Sequence, residues 1–299
     1  MSPGTPSSRL PVGGEPALGL AERVRLAHAR IATVLEDAGL RGLHVKGYAA
    51  SPGVYTPHRT SSDVDLLVPP ADASEVCRAL AEHGWARVTD FSEGSIFRHA
   101  ATFWHDHLGY VDVHRLFPGL GSDPEATFAR LWAERSHRVI AGRTVPVPSL
   151  PHQRLVVVVH AARDPNRGAR DVEHLRATLS TEQWQQLREQ AQAFGAGAAW
   201  HVATGEEPTT GSEDAAELRL FQALSAHESG MDLFATRWAS ATGLPAKAAL
   251  VWGAVGVNRP HLRMRLGRPL RRGDVTRAQL GRIAALARWA WNKGVHRDR

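Results

Sequence analysis

Between residues 61 and 68 the chain reads Ser-Ser-Asp-Val-Asp-Leu-Leu-Val, and nothing else in its 299 residues so limits what it can fold into. Side chains alternate between the two faces of a β-strand, so Asp63 and Asp65 project from the same side. The apolar run behind them calls for burial. Such a segment reads as a core strand whose leading end opens onto a polar site. Two carboxylates held that close repel each other unless a cation lies between them. Hard oxygen ligands of this kind suit Mg²⁺, usually shared with substrate phosphates. An Asp-x-Asp pair by itself also occurs in turns and on solvent faces, so the pair needs company. Tyr110-Val111-Asp112-Val113-His114 supplies it, with Asp112 and His114 alternating onto one face among apolar neighbours. If that strand neighbours the first, Asp63, Asp65 and Asp112 converge. Three such carboxylates can hold two metals, one activating an attacking oxygen and the other stabilising a leaving one.

The surrounding periodicity predicts an α/β (α+β) fold in three parts. Residues 1–17 are rich in Pro, Gly and Ser with no apolar stretch, and read as a flexible leader rather than a signal peptide. Residues 18–150 alternate helix and strand signals. A helix is expected over Leu18–Ala38, its face carried by Leu20, Val24, Ala27, Ile31 and Leu35, and another over Asp72–His83. Strands are expected at Leu43–Val45, Asp63–Val68, Trp85–Thr89, Ile96–Trp104 and Tyr110–Leu116, then a helix over Pro124–Glu134 and a hairpin over Arg138–Val147 turning at Ala141-Gly142. From residue 151 to 299 the pattern is helical only, with helices expected at Leu155–Ala162, Asp171–Leu179, Glu182–Phe194, Glu213–His227, Met231–Thr242 and Asp274–Trp291. No apolar run approaches the ~20 residues of a membrane-spanning helix. A lone cysteine, Cys77, cannot close an internal disulfide, so the chain reads as cytoplasmic.

In order along the chain, Leu43-His44-Val45-Lys46-Gly47, Arg59, Asp63-Val64-Asp65-Leu66-Leu67-Val68, Gly84-Trp85, Val111-Asp112-Val113-His114, Leu150-Pro151, His160-Ala161-Ala162 and Arg170-Asp171 form a set. Together they resemble the uncharacterised nucleotidyltransferase family of the DNA polymerase beta-like superfamily, over roughly residues 20–180. The resemblance implies a mixed sheet and Mg²⁺-dependent transfer of a nucleoside monophosphate from a nucleoside triphosphate (NTP). It implies that Asp63 and Asp65 bind both metals and the triphosphate, while Asp112 binds the metal that lowers the acceptor's pKa and takes its proton. The superfamily's usual Gly-Ser phosphate cradle is missing. Lys46-Gly47 stands there, with Arg59 and Ser62 as further nucleotide-binding candidates, while His114, His160 and Asp171 are candidates for substrate contact or for supporting hydrogen bonds. Each has a plainer reading as well: a surface arginine for Arg59, a core histidine for His160, a helix cap or a partner of Arg163 or Arg170 for Asp171.

Charge bears on the acceptor. Residues 258–299 hold twelve Arg or Lys against two Asp, net +10, which leaves −4 on the other 257 residues. A mildly acidic body favours a small-molecule or peptide-derived acceptor over RNA, whose cleft should be basic. The basic tail, with Trp289 and Trp291 beside Arg288 and Lys293, keeps a toxin-like enzyme acting on tRNA as the alternative. A non-catalytic nucleotide- or partner-binding module is the third reading. His105-Asp106-His107 reads as a turn rather than a zinc site, for want of a helical histidine pair.

Overall fold

A computed structural model describes residues 18–91, 97–121, 123–207, 215–225, 241–257 and 270–295, together with residues 234, 238, 239, 259 and 262. The expected leader, both ends of the helix expected at Glu213–His227, most of the helix expected at Met231–Thr242, and residues 258, 260, 261, 263–269 and 296–299 of the basic tail lie outside them. The N-terminal helix α1 (Leu20–Asp37) starts two residues later than its pattern implied, and Leu20 is exposed. Its buried stripe is Val24, Ala27, His28, Ile31, Ala32, Val34 and Leu35. Five strands follow: β1 (Leu43–Val45), β2 (Asp63–Leu67), β3 (Ala86–Arg87), β4 (Ala100–His105) and β5 (Gly109–His114), with α2 (Ala73–Glu82) between β2 and β3. They form one mixed sheet in the order β1-β2-β5-β4-β3, in which only β2 and β5 run parallel. A parallel pair needs a long crossover, and α2, β3 and β4 provide it.

The two faces of the sheet have different fates. Val64 and Leu66 of β2, Ala101 and Phe103 of β4, and Val111 and Val113 of β5 point to one face and pack with α1, α2 and Trp85. Leu43, Val45 and Leu67 point to the other and join a second cluster with Phe117, Leu120, Phe128, Leu131 and the helices beyond residue 150. This alternation explains why β2 reads as buried along most of its length and yet presents two aspartates.

Helix α3 (Pro124–Ala133) is capped by Asp123, whose carboxylate accepts from the Glu125 and Ala126 amides, with Pro124 at its first position. The hairpin of β6 (Ser136–Ile140) and β7 (Arg143–Val147) turns at Ala141-Gly142, both at positive φ. Helices α4 (Leu150–Ala161), α5 (Pro165–Thr178), α6 (Thr181–Ala193) and α7 (Gly197–Thr204) come next, then α8 (Ala215–Ser225), α9 (Leu244–Val255) and α10 (Asp274–Val295). Two of these, α7 and α9, were not expected from the pattern, and α4 and α5 start earlier than expected. Pro151 and Pro165 both sit in a first turn, where a missing N–H costs nothing. Gly168 then lets α5 pass against α4, since a Cβ there would fall 2.3 Å from the Ala161 Cα. None of the helices among the described residues is long and apolar enough to cross a membrane.

Candidate active site

The register of the sheet arranges its α4-facing side in three rows running from β1 or β2 across to β4. The innermost row is Leu43, Leu67, His114 and Ala100; the middle row is Val45, Asp65, Asp112 and Thr102; the outer row is Asp63, Tyr110 and Trp104. Asp65 and Asp112 are therefore direct neighbours across the parallel pair. The strand reading put Asp63 with Asp65 and Asp112 with His114; the sheet order sets the two strands side by side, with all three carboxylates on one face.

Asp65 is the most heavily held group. Its Oδ1 accepts from Lys46 Nζ and from His114 Nε2, each at 2.8 Å. Burial works against its charge, but Lys46 and His114 prevail and hold its carboxyl far below the ordinary carboxylate range. Asp112 accepts from the Thr102 hydroxyl at 2.6 Å. Burial pushes its pKa up and the Asp65 charge adds to that. Asp63 is half-buried, and its carboxyl is pushed up to about 6 by burial and by the charges of Asp65 and Asp112. Two carboxylates with raised pKa values beside a third that stays ionised mark a site short of positive charge.

Carboxylate or imidazole atoms of Asp65, Asp112 and His114 lie within 4.8 Å of one another, close enough to share one ion. Asp63 stands one row out, because residues two apart on a strand are separated by about 7 Å along it. The donor set fits a divalent cation: hard oxygens from Asp65 and Asp112, with Asp63 within electrostatic reach. His114 Nε2 is already committed to Asp65, so its geometry is that of a group that orients a ligand.

Lys46-Gly47 forms a strained corner at the end of β1. Lys46 has φ 60° and ψ −175°, a region that non-glycine residues rarely occupy, and Gly47 follows at φ 52°. The corner turns the lysine back over the sheet onto Asp65. A Cβ on Gly47 would lie 2.5 Å from Ser61 Oγ. That hydroxyl donates to the Asp63 carbonyl at 2.9 Å and approaches its Oδ1 at 3.4 Å. Ser62, the serine singled out from the sequence, is exposed; Ser61 is the one that reaches Asp63.

The segment from 48 to 62 is tied to the helical layer at several points. The Ser51 amide donates to the Gln153 side chain of α4 at 2.7 Å, and His174 of α5 meets the Gly53 carbonyl at 3.1 Å. Arg59 pairs with the buried Asp171 of α5 at 2.7 Å and lies over the Tyr55 ring, 4.6 Å from its centroid. Asp171 thus finds Arg59, neither Arg163 nor Arg170, and Arg59 is no simple surface arginine.

On α4, His160 lies within electrostatic reach of Lys46, Arg163, Asp65 and Arg59. Burial, with those neighbouring cations, pushes its pKa well down, so the ring is neutral. Arg163 is the residue the sequence reading undervalued. Burial pulls its guanidinium down to about 10, still charged at neutral pH. It contacts His99 Nε2 at 3.0 Å and lies 5.0 Å from the Phe117 ring centroid. Its position three residues after His160 was the available signal. His105 accepts from the His107 and Leu108 amides through Nδ1, which is a turn role.

None of the curated proteins matches the chain significantly. Solved structures with similarity include the lincosamide antibiotic adenylyltransferase LnuA bound to lincomycin, 17% identical over 52% of this chain and 96% of that one, TM-score 0.36. An antigenic nucleotidyltransferase-like protein from Paracoccidioides brasiliensis is 13% identical over 63% of this chain and 95% of that one, also with TM-score 0.36. The family model described as an uncharacterised nucleotidyltransferase matches residues 20–205, which hold every strand of the sheet and all the residues of the carboxylate site, and the chain belongs to that family.

Proposed function

We propose that this nucleotidyltransferase is Mg²⁺-dependent and moves a nucleoside monophosphate from an NTP to a hydroxyl or similar group on a small molecule or peptide-derived metabolite. The observation that carries the reading is the adjacency of Asp65 and Asp112 across β2 and β5, with Asp63 in the next row and two of the three carboxyls raised in pKa. Bound by Asp65, Asp112 and Asp63, Mg²⁺ would supply charge neutralisation at the α-phosphate and a more acidic acceptor hydroxyl.

The chain's own groups do the rest. Lys46 and Arg59 hold the β- and γ-phosphate oxygens, which requires Lys46 to turn from Asp65. Gly47 lets the backbone come close. His114 and Thr102 fix the carboxylates of Asp65 and Asp112, so no rearrangement is needed as charge develops. The acceptor oxygen attacks the α-phosphorus in line; the new P–O bond forms as the bond to pyrophosphate breaks, and Asp112 takes the acceptor's proton. Neutral His160 and cationic Arg163 line the α4 side of the cleft. Positioning and charge neutralisation account for most of the acceleration in a reaction of this kind.

Isothermal titration of ATP, GTP, CTP and UTP with Mg²⁺ tests this, on the wild type and on Asp63→Asn/Asp65→Asn. The expected result is Mg²⁺-dependent binding of one or more triphosphates, lost in the double variant. A folded wild type that binds none of the four overturns the transferase reading. Binding without any pyrophosphate release across acceptor trials turns it toward a nucleotide-binding module.

A further inference from the structure

The outer row of the sheet face carries a feature that the chemistry above does not use. Trp104 and Tyr110 are direct partners across β4 and β5, with ring centroids 4.5 Å apart and planes at 56°. Tyr110 is also the register partner of Asp63 on β2. The rings therefore stand one row from Asp65 and Asp112 on the same face. The Trp104 indole is pinned, because its Nε1–H donates to Asp106 at 3.0 Å. Both rings are half-exposed, and among the described residues neither joins any of the three buried apolar clusters. Two large aromatics fixed on core strands beside reactive carboxylates, and left out of the core, form a surface built to be covered.

Charge says what covers it. The cations of the cleft, Lys46, Arg59 and Arg163, gather toward β1, α4 and α5, where Lys46 meets Asp65 and Arg59 meets Asp171. At the shelf end Asp63 and Asp112 belong to the cation, and the charge left to meet a ligand is the exposed Asp106 carboxylate on the Trp104 indole. Triphosphate belongs with the cations. A ligand at the shelf meets aromatic faces edged by the Asp106 carboxylate, which suits a ring bearing an ammonium group.

We propose that Trp104 and Tyr110 form the acceptor shelf, and that the acceptor is a small molecule with a flat or apolar-faced ring and a positive charge. Its ring stacks on the shelf, its hydroxyl points across to the middle row and Asp112, and its ammonium lies near Asp106. This rests on the transferase reading and narrows it.

The test uses the full chain with Mg²⁺ and the triphosphate selected in the titration above, and two probes whose single charged groups have opposite sign. Tyramine carries a ring, a hydroxyl and an ammonium; 4-hydroxyphenylacetate carries the same ring and hydroxyl with a carboxylate. Saturation-transfer NMR titration should show tyramine binding at least about threefold more tightly than the acid. Trp104→Leu and Tyr110→Leu should weaken tyramine about five- to tenfold, while Trp104→Phe and Tyr110→Phe, which keep a ring, hold it within about twofold. Equal affinity for the two probes, no binding of either, or Leu variants that bind like the wild type overturns the shelf. So does a single-stranded RNA oligonucleotide whose binding the Leu variants weaken. Triphosphate affinity, measured on the same samples, should stay within about twofold of wild type in all four variants. Normal triphosphate binding with unaffected Leu variants overturns the shelf alone; no triphosphate binding by the wild type overturns the transferase reading and the acceptor role with it.

Discussion

Replacing Lys46 separates two things that the corner at the end of β1 combines: a buried charge pair and a strained backbone. Lys46 Nζ is 2.8 Å from Asp65 Oδ1, with both side chains only 11% exposed. At that distance and an effective dielectric of about 20 the gross attraction is about 6 kcal/mol. The net cost of removing one partner from a buried pair is smaller, about 3–5 kcal/mol, because the lysine's own desolvation is relieved. His114 stays on the same carboxylate oxygen, so Lys46→Met should fall at the low end, about 3 kcal/mol. Lys46→Gly loses the same charge but relieves a backbone at φ 60° and ψ −175°. A non-glycine residue there stores about 1–3 kcal/mol, against about 0.5–1 kcal/mol for the extra freedom of glycine in the unfolded chain. Lys46→Gly should therefore be more stable than Lys46→Met by about 1 kcal/mol, the reverse of the usual ranking. Urea unfolding followed by circular dichroism at pH 7.5 in EDTA gives both numbers. A Lys46→Met variant as stable as the wild type refutes the pair, and a Lys46→Gly variant less stable than Lys46→Met refutes the strain.

Three further outcomes are expected. The Asp63 carboxyl titrates near 6 in the folded chain against an ordinary 3.8; between those values the folded state keeps a proton the unfolded state has released, so this group's contribution to stability falls as pH rises through the window. Metal-free Asp63→Asn should then be more stable than the wild type above pH 6, by about 1–2 kcal/mol given the partial exposure of Asp63, and a pH series of urea melts showing no such divergence would rule it out. Arg59→Met strands the buried Asp171 and should cost about 3 kcal/mol, part of it recovered in Arg59→Met/Asp171→Asn, so a double-mutant cycle with no coupling refutes the pair. Gly168→Ala drives a methyl into Ala161 and should cost about 3 kcal/mol or more, while Gly281→Ala on α10, with nothing near its Cβ, should gain about 0.5–1 kcal/mol; equal thermal shifts for the two would refute the close crossing of α4 and α5.

The strand alternation of Asp63–Leu67 and Tyr110–His114 was readable because period-2 patterning is a local property of the chain. It put Asp63 with Asp65 and Asp112 with His114, and it told the buried face of each strand from the reactive one. The ordered motifs pointed to the family without any coordinates. Helix α7 was missed because Gly197-Ala198-Ala199 lacks an amphipathic stripe: the helix is packed on several sides, and its period carries little contrast. Helix α5 was started late because Pro165-Asn166-Arg167-Gly168 reads locally as a turn, whereas the glycine is there for contact with Ala161.

The list of reactive groups, and the face of the element on which each one stands, follow from residue type and backbone period and were legible in the chain. Partnership was decided by the tertiary structure alone. Nothing local says that β5 lies parallel to β2 with Asp65 opposite Asp112, that Lys46 turns back onto Asp65, that Arg59 reaches Asp171 112 residues away, or that Ser61 rather than Ser62 meets Asp63. These contacts arise when one sheet face and the helices over it are packed together, and the desolvation and charge that raise Asp63 and hold down Asp65 exist only in that packed site.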